Sequence, residues 1–223
     1  MKIDYVMKLG GSLLYDLEKT RALLSRIASS SNHNIAYTVG SGYLGEVYKK
    51  WVREDNAVSI PFDNSIKIWS DIQSANANII AALNPNFIVC DNEDEIEDAI
   101  KSGKRPLLDA RGFHDEFKDL KYQTTDVRSA KLCEKLKCKN LIIVTDVDGI
   151  YSSDPKKDSK SHRLGRINAR ELAKMGRTSV DKGLAEMLIQ YGITGYVVGI
   201  DSLVQSKDLS KTETLENGTV IEY

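Results

Sequence analysis

Short apolar runs broken by glycine alternate along this chain with longer stretches of helical spacing. Residues 3–9 are apolar and β-prone and stop at Gly10-Gly11-Ser12. Residues 13–29 then place Leu17, Ala22, Leu23, Leu24, Ile27 and Ala28 at helical intervals. Residues 34–39 repeat the strand pattern, Gly40-Ser41-Gly42 ends it, and residues 44–53 read as a helix. Strand, glycine turn, helix, twice over, implies a mostly parallel sheet with helices on both faces. Further on, residues 65–83 predict a long helix ending at Asn84-Pro85, and 87–90 a strand. Residues 93–101 read as an acidic helix and 106–109 as a strand, before an irregular polar stretch over 111–122. Residues 124–136 predict a helix opened by a threonine cap. The most strongly β segment is NLIIVT, 140–145. A loop is expected over 151–166, helices over 168–175 and 182–191, and closing strands over 195–198 and 218–222. The expected class is α/β, in one domain without repeats.

Size and charge narrow the functions. A chain of 223 residues can bury a core without staples. Its net charge of -1 argues against a nucleic-acid partner bound by bulk electrostatics. No apolar run approaches the roughly 20 residues of a membrane span, so the expected setting is cytoplasmic, without a membrane partner. Cys90, Cys133 and Cys138 are too few and too irregular for a disulfide framework, and plain thiols are favoured over zinc.

Four segments could carry chemistry. In Lys8-Leu9-Gly10-Gly11-Ser12, glycine leaves room for a close ligand, and the following helix would aim N–H groups and its dipole at an anion. Lys8 could then neutralise a transferring phosphoryl group; the plain alternative is a turn with a surface lysine. Val39-Gly40-Ser41-Gly42 forms a second such turn, and two turns at one end of a parallel sheet define a crevice. Gly40, Gly42 and Gly45 have the spacing of a dinucleotide fingerprint, but no acidic residue follows at the end of a strand, and no GxxxxGK[ST] loop is present. Thr145-Asp146-Val147-Asp148-Gly149-Ile150-Tyr151, continued through Asp154-Pro155-Lys156, places carboxylates and a glycine at the carboxyl end of a strand. Asp146 could hold a nucleotide or magnesium-bound water, whereas the twelve-residue calcium pattern is missing. Thr124-Thr125-Asp126 reads as a helix cap whose aspartate could orient lysines.

The order of these segments resembles the amino-acid kinase superfamily. KLGGS, a glycine turn after the second strand, TTD at a helix start, TDVDGIYSSDPKK, SVDKGLAEMLIQYGITGYVVG and GTVIE together span nearly the whole chain. The resemblance implies a three-layer αβα sandwich with a mainly parallel central sheet. It implies ATP and Mg²⁺ as cofactors, and a homo-oligomer, either a dimer or an assembly of dimers. It also implies an N-terminal acceptor lobe, about residues 1–120, and a C-terminal ATP lobe, about 121–223. Carried over by position, Lys8 and Asp126 are the candidate catalytic pair, and Gly10, Gly11 and Ser12 touch the transferring phosphate. Gly40, Ser41, Gly42, Ser74, Thr124 and Thr125 lie on the acceptor side. Thr145, Asp146, Gly149, Tyr151, Asp154, Pro155 and Lys156 surround the nucleotide.

The acceptor is then a small molecule. Within the superfamily SANANIIAAL, TTD, VTDVDGIYSSDPKK and GTVIE are most similar to archaeal UMP kinases. An acceptor that is already a phosphate needs no general base, and His33, His114 and His162 lie in none of the segments. UMP kinases usually carry an arginine where Ser74 stands, and a hydroxyl does not replace a bidentate guanidinium. Lys121, Arg128 and Lys182 are the candidates to replace it. Kinases of aminomethyl-furan-methanol phosphate and of isopentenyl phosphate therefore stay open, as does a nucleotide-binding or storage protein of the same fold.

Overall fold

The computed structural model describes residues 1–30, 33–53, 60–153, 157–175, 178–206 and 212–223. Its central element is an eight-stranded sheet. The strands are β1 Tyr5–Leu9, β2 Ile35–Val39, β3 Phe87–Cys90, β4 Arg105–Leu108, β5 Asn140–Thr145, β8 Arg166–Asn168, β9 Thr194–Gly199 and β10 Thr219–Glu222, and β6 Ile150–Tyr151 pairs with β7 Arg163–Leu164 as a separate hairpin. The sheet order is β3-β4-β2-β1-β5-β9-β10-β8, and every pairing is parallel except β9 with β10. The expected mainly parallel αβα sandwich is the observed architecture.

Strand alternation divides the core in two. Val6, Leu141, Ile143 and Val197 face one way, with Val127, Ala130, Leu184 and Leu188. These last four belong to helices α5 Thr125–Lys135 and α7 Leu184–Tyr191. Met7, Leu9, Ile142 and Val144 face the other way, with Leu23, Leu24, Ile27, Ala77 and Ile80. Those helical residues come from α1 Leu17–Ser29 and α3 Phe62–Leu83. Parallel strands buried on both faces read as near-continuous apolar runs, which is why NLIIVT was so plain a signal. The remaining helices are α2 Gly42–Arg53, α4 Glu93–Lys101, α6 Ala169–Leu172, α8 Ile200–Gln205 and α9 Thr212–Glu216.

Three local expectations change. The helix expected over 13–29 is two elements, a 3-10 turn Gly11–Tyr15 and then α1, because Asp16 caps α1 by accepting from the Lys19 N–H at 2.9 Å. The glycine turn therefore opens into a short 3-10 segment, without the dipole of a long helix directly behind it. Residues 151–166 are not all loop, since the β6–β7 hairpin and the start of β8 fall there. The helix expected over 168–175 is only the four residues of α6.

Candidate active site

The site begins where β1 and β2 end. These strands pair in parallel with Leu9 opposite Val39, so their glycine turns emerge side by side. The Gly10 N–H donates to Val144 O and the Gly40 N–H to Leu9 O, each at 2.8 Å. The turns touch through backbone. A Cβ on Gly11 would run into the nitrogen and Cα of Gly42, and one on Gly40 into the nitrogen of Gly11. Gly42 adds a left-handed φ of 55°, which an L side chain rarely adopts. Helix α3 holds the second turn from behind. Asn76 Nδ2 donates to Gly40 O at 2.8 Å and to Ser41 O at 2.9 Å, and Gln73 Nε2 to Val39 O at 3.1 Å.

Lys8 shares the sheet face of Val6, the face covered by α5. Its ammonium lies 2.8 Å from Asp126 Oδ1, with side-chain exposures of 11% and 3%. Thr124 caps α5, its hydroxyl accepting from the Val127 N–H at 3.5 Å, and this sets Asp126 in the first turn. Asp126 Oδ2 accepts the Asp181 N–H at 2.8 Å, while the Asp126 N–H points back to Asp181 Oδ2 at 3.5 Å. Burial first, and the Asp126 carboxylate second, raise the Asp181 carboxyl above its ordinary range; Lys8 acts the other way. Two carboxylates and one ammonium thus crowd a poorly solvated spot, the kind of arrangement found at functional centres.

The end of β5 closes the third side. Thr145 Oγ1 donates to Asp146 Oδ1 at 3.0 Å, and Ser12 Oγ reaches the same oxygen at 3.4 Å. This joins the first glycine turn to β5. Past Gly149, the Tyr151 hydroxyl donates to Asp148 Oδ1 at 2.8 Å, and Ser179 Oγ donates to Gly149 O at 2.9 Å. Asp154, Pro155 and Lys156 lie outside the described residues.

A cavity of about 300 Å³ gathers Lys8, Gly10, Gly11, Ser12, Ser41, Gly42, Thr125, Asp126 and Thr145 around one space. Sequence reasoning had brought these nine together. Tyr15, Glu46, Lys49, Ser179 and Asp181 complete its walls and were missed. The sequence signal for Asp181 is its place beside Lys182 in SVDKGLAEML. Glu46, Lys49, Ser179 and Asp181 also border an adjoining cavity of about 680 Å³, which reaches Lys182, Gly183 and Glu186.

Other predicted residues sit elsewhere. Ser74 is buried and donates to Asp109 Oδ1; it does not line either cavity. Asp109 is gripped by Arg111 through Nε at 3.1 Å and Nη2 at 2.6 Å. Of the three replacement cations, Lys121 is exposed beside Glu186, Lys182 borders the larger cavity, and Arg128 is almost wholly buried. All three cysteines are buried.

Residues 5–199 match the amino acid kinase family. The chain belongs to that family. Among curated proteins, this family member is 31% identical to the uridylate kinase of Thermococcus kodakarensis over 237 residues, covering 97% of this chain and 98% of that one. The uridylate kinase of Pyrococcus abyssi is 28% identical over the same shares. Among solved structures, the uridylate kinase of Archaeoglobus fulgidus superposes with a TM-score of 0.70 at 24% identity, covering 98% of this chain and all of that one. The aspartate kinase of Synechocystis gives 0.68 at 19% identity, 98% of this chain matching 39% of the larger protein. No helix among the described residues is long and apolar enough to cross a membrane.

Proposed function

We propose that this amino acid kinase-family protein transfers the γ-phosphate of ATP to a small acceptor that already carries an anionic group, with a phosphate ester preferred. The observation that carries the reading is the buried Lys8–Asp126 pair, set in a cavity whose floor is two abutting glycine turns. Phosphoryl transfer asks little covalent chemistry of a protein and much positioning and charge neutralisation. Backbone at Gly10–Ser12 leaves room for phosphate oxygens to approach, and Lys8 balances the charge that spreads over them in the transition state. Asp126, held by the Asp181 N–H, keeps the ammonium aimed. Ser12 and Asp146 then mark the side towards the nucleotide, and Ser41 and Gly42 the side towards the acceptor. An acceptor that is already a phosphate is ionised without a general base.

Magnesium enters this reading with the polyphosphate. Among the described residues no group of three or more His, Cys, Asp and Glu is arranged to hold a metal. Magnesium keeps several of its waters and is usually bound through substrate phosphates and one or two carboxylates. We assign to Asp146, which Thr145 and Ser12 hold beside the first glycine turn, the role of helping to hold it.

The acceptor is read from the relatives and from the surroundings of Ser74. The curated relatives are uridylate kinases, which puts UMP first. Ser74, buried and bonded to Asp109, offers that acceptor no guanidinium, so the furan-methanol and isopentenyl phosphate esters are kept as alternatives. We place the acceptor in the N-terminal lobe and ATP in the C-terminal one, in a cytoplasmic homo-oligomer. An ADP-release screen with UMP, CMP, isopentenyl phosphate, aminomethyl-furan-methanol phosphate and amino-acid carboxylates tests the reading. ADP release that depends on one phosphate ester is expected. Tight retention of ATP with no acceptor-dependent turnover would overturn it in favour of storage or sensing.

A further inference from the structure

We propose that Arg128 is a positioning residue that sets the acceptor-side glycine turn against the Lys8–Asp126 centre. The proposal rests on the kinase reading for its kinetic part only.

Arg128 lies two residues beyond Asp126 in α5, so the two side chains leave the helix on nearly opposite sides. Asp126 meets Lys8, while Arg128 passes into the space between α5 and α3. It is 1% exposed, the largest of the fully buried side chains. Burial alone pulls its guanidinium down to about 10. No carboxylate lies within ion-pair distance among the described residues. Every partner is neutral instead. Nη1 donates to Gln73 Oε1 at 2.8 Å and to Ser70 Oγ at 3.2 Å; Nη2 donates to Gln123 Oε1 at 3.1 Å and Ile66 O at 3.3 Å; and Nε donates to Gln123 Oε1 at 3.3 Å. The guanidinium also lies over the Phe117 ring, 4.6 Å from its centre.

An uncompensated buried charge is a costly way to fill a core, and an apolar side chain of similar volume is often the more stable choice. What the guanidinium adds is orientation. Its fork fixes two amides that each pass the constraint on. Gln73 accepts from Arg128 and donates to Val39 O, the carbonyl just before Gly40. Gln123 accepts from Arg128 and donates to Phe117 O at 2.7 Å and Leu120 O at 3.1 Å. One planar group therefore ties together α3, the glycine turn, and the stretch leading to Thr124-Thr125-Asp126. A lysine has neither the fork nor its planarity.

The test uses Arg128→Met, which keeps volume and removes the fork, and Arg128→Lys, which keeps the charge. Backbone hydrogen exchange is read at residues 39–42 and 124–126, beside kcat, acceptor KM and ATP affinity by direct binding. Arg128→Met is expected to fold with a circular-dichroism spectrum like wild type and to exchange faster at both segments. It should lose about 10²-fold in kcat/KM for the acceptor, the scale of a misplacement near 1 Å, with ATP affinity within about twofold. Arg128→Lys should recover only part of this. Unchanged exchange in a folded Arg128→Met, or faster exchange with wild-type acceptor kinetics, would leave Arg128 a structural residue and overturn the proposal. Should Arg128→Met not fold, Gln73→Leu removes the bond to Val39 together with one acceptor of Arg128, and is judged by the same readings at residues 39–42. If wild-type protein turns over no acceptor, the kinase reading fails, and the exchange data alone decide whether Arg128 positions the turn.

Discussion

Lys8 brings a nearly buried positive charge to the wall of the cavity. Its ammonium is aimed by a carboxylate that is itself held by a backbone N–H. In a transfer reaction that charge matters most in the transition state. Lys8→Ala should therefore lower kcat by about 10²-fold or more while ATP binding largely survives, the pattern of an interaction made only at the transition state. Equal losses in ATP affinity and kcat would show a ground-state role instead. Asp181 gives a test that needs no substrate. Its folded carboxyl is raised above the ordinary aspartate value of 3.8 by burial and by Asp126. A raised acid binds its proton more tightly in the folded state, so its ionisation destabilises the fold as pH rises through the interval above 3.8. Asp181→Asn removes that penalty. It should raise the unfolding midpoint in denaturant at pH 7, and the gain should vanish as pH falls towards 3.8. A gain that stays constant across that interval would mean that charge is not its cause.

At the scale of elements, the site depends on two strand ends lying close enough for their turns to touch. Gly11 meets the backbone of Gly40 and Gly42, which cannot swing aside as a side chain can. Gly11→Ala should therefore cost about 1–3 kcal/mol, the usual range for overfilling a packed place, and should take most of the turnover with it. Denaturant unfolding and the ADP-release assay check both halves. These turns were legible because each sets two glycines within three residues after an apolar strand. The split of residues 13–29 was not, because Leu13 and Leu17 fit helical spacing whether or not Asp16 interrupts the backbone between them. The β6–β7 hairpin was hidden for another reason. Strands of two residues are too short to show a period.

Across the whole molecule, the last strand reaches back to the hairpin that follows β5. Thr219 in β10 is wholly buried. Its hydroxyl accepts the Ile150 N–H at 2.8 Å and donates to Leu164 O at 2.5 Å, so it ties the β6–β7 hairpin to the sheet. Thr219→Val leaves the Ile150 N–H without that partner, a loss of about 1–3 kcal/mol. The expected result is weaker ATP binding with acceptor KM unchanged, measured by titrating each substrate at saturation of the other. A rise in acceptor KM alone would contradict the division into two lobes.

The amino-acid sequence by itself determined the class of fold, most of its strands and the segments that meet at the cavity. Buried parallel strands must be apolar throughout, and turns that approach other backbone must be glycine, so both leave marks on neighbouring residues. The partners of those segments were decided only by the tertiary structure. Asp181 meets Asp126, Asn76 meets Gly40, and Arg128 reaches Gln73 across long stretches of chain. Such contacts depend on which helices share a face of the sheet, and no local spacing records that. For the same reason Ser74 read as an acceptor residue in the sequence and lies in the structure bonded to Asp109.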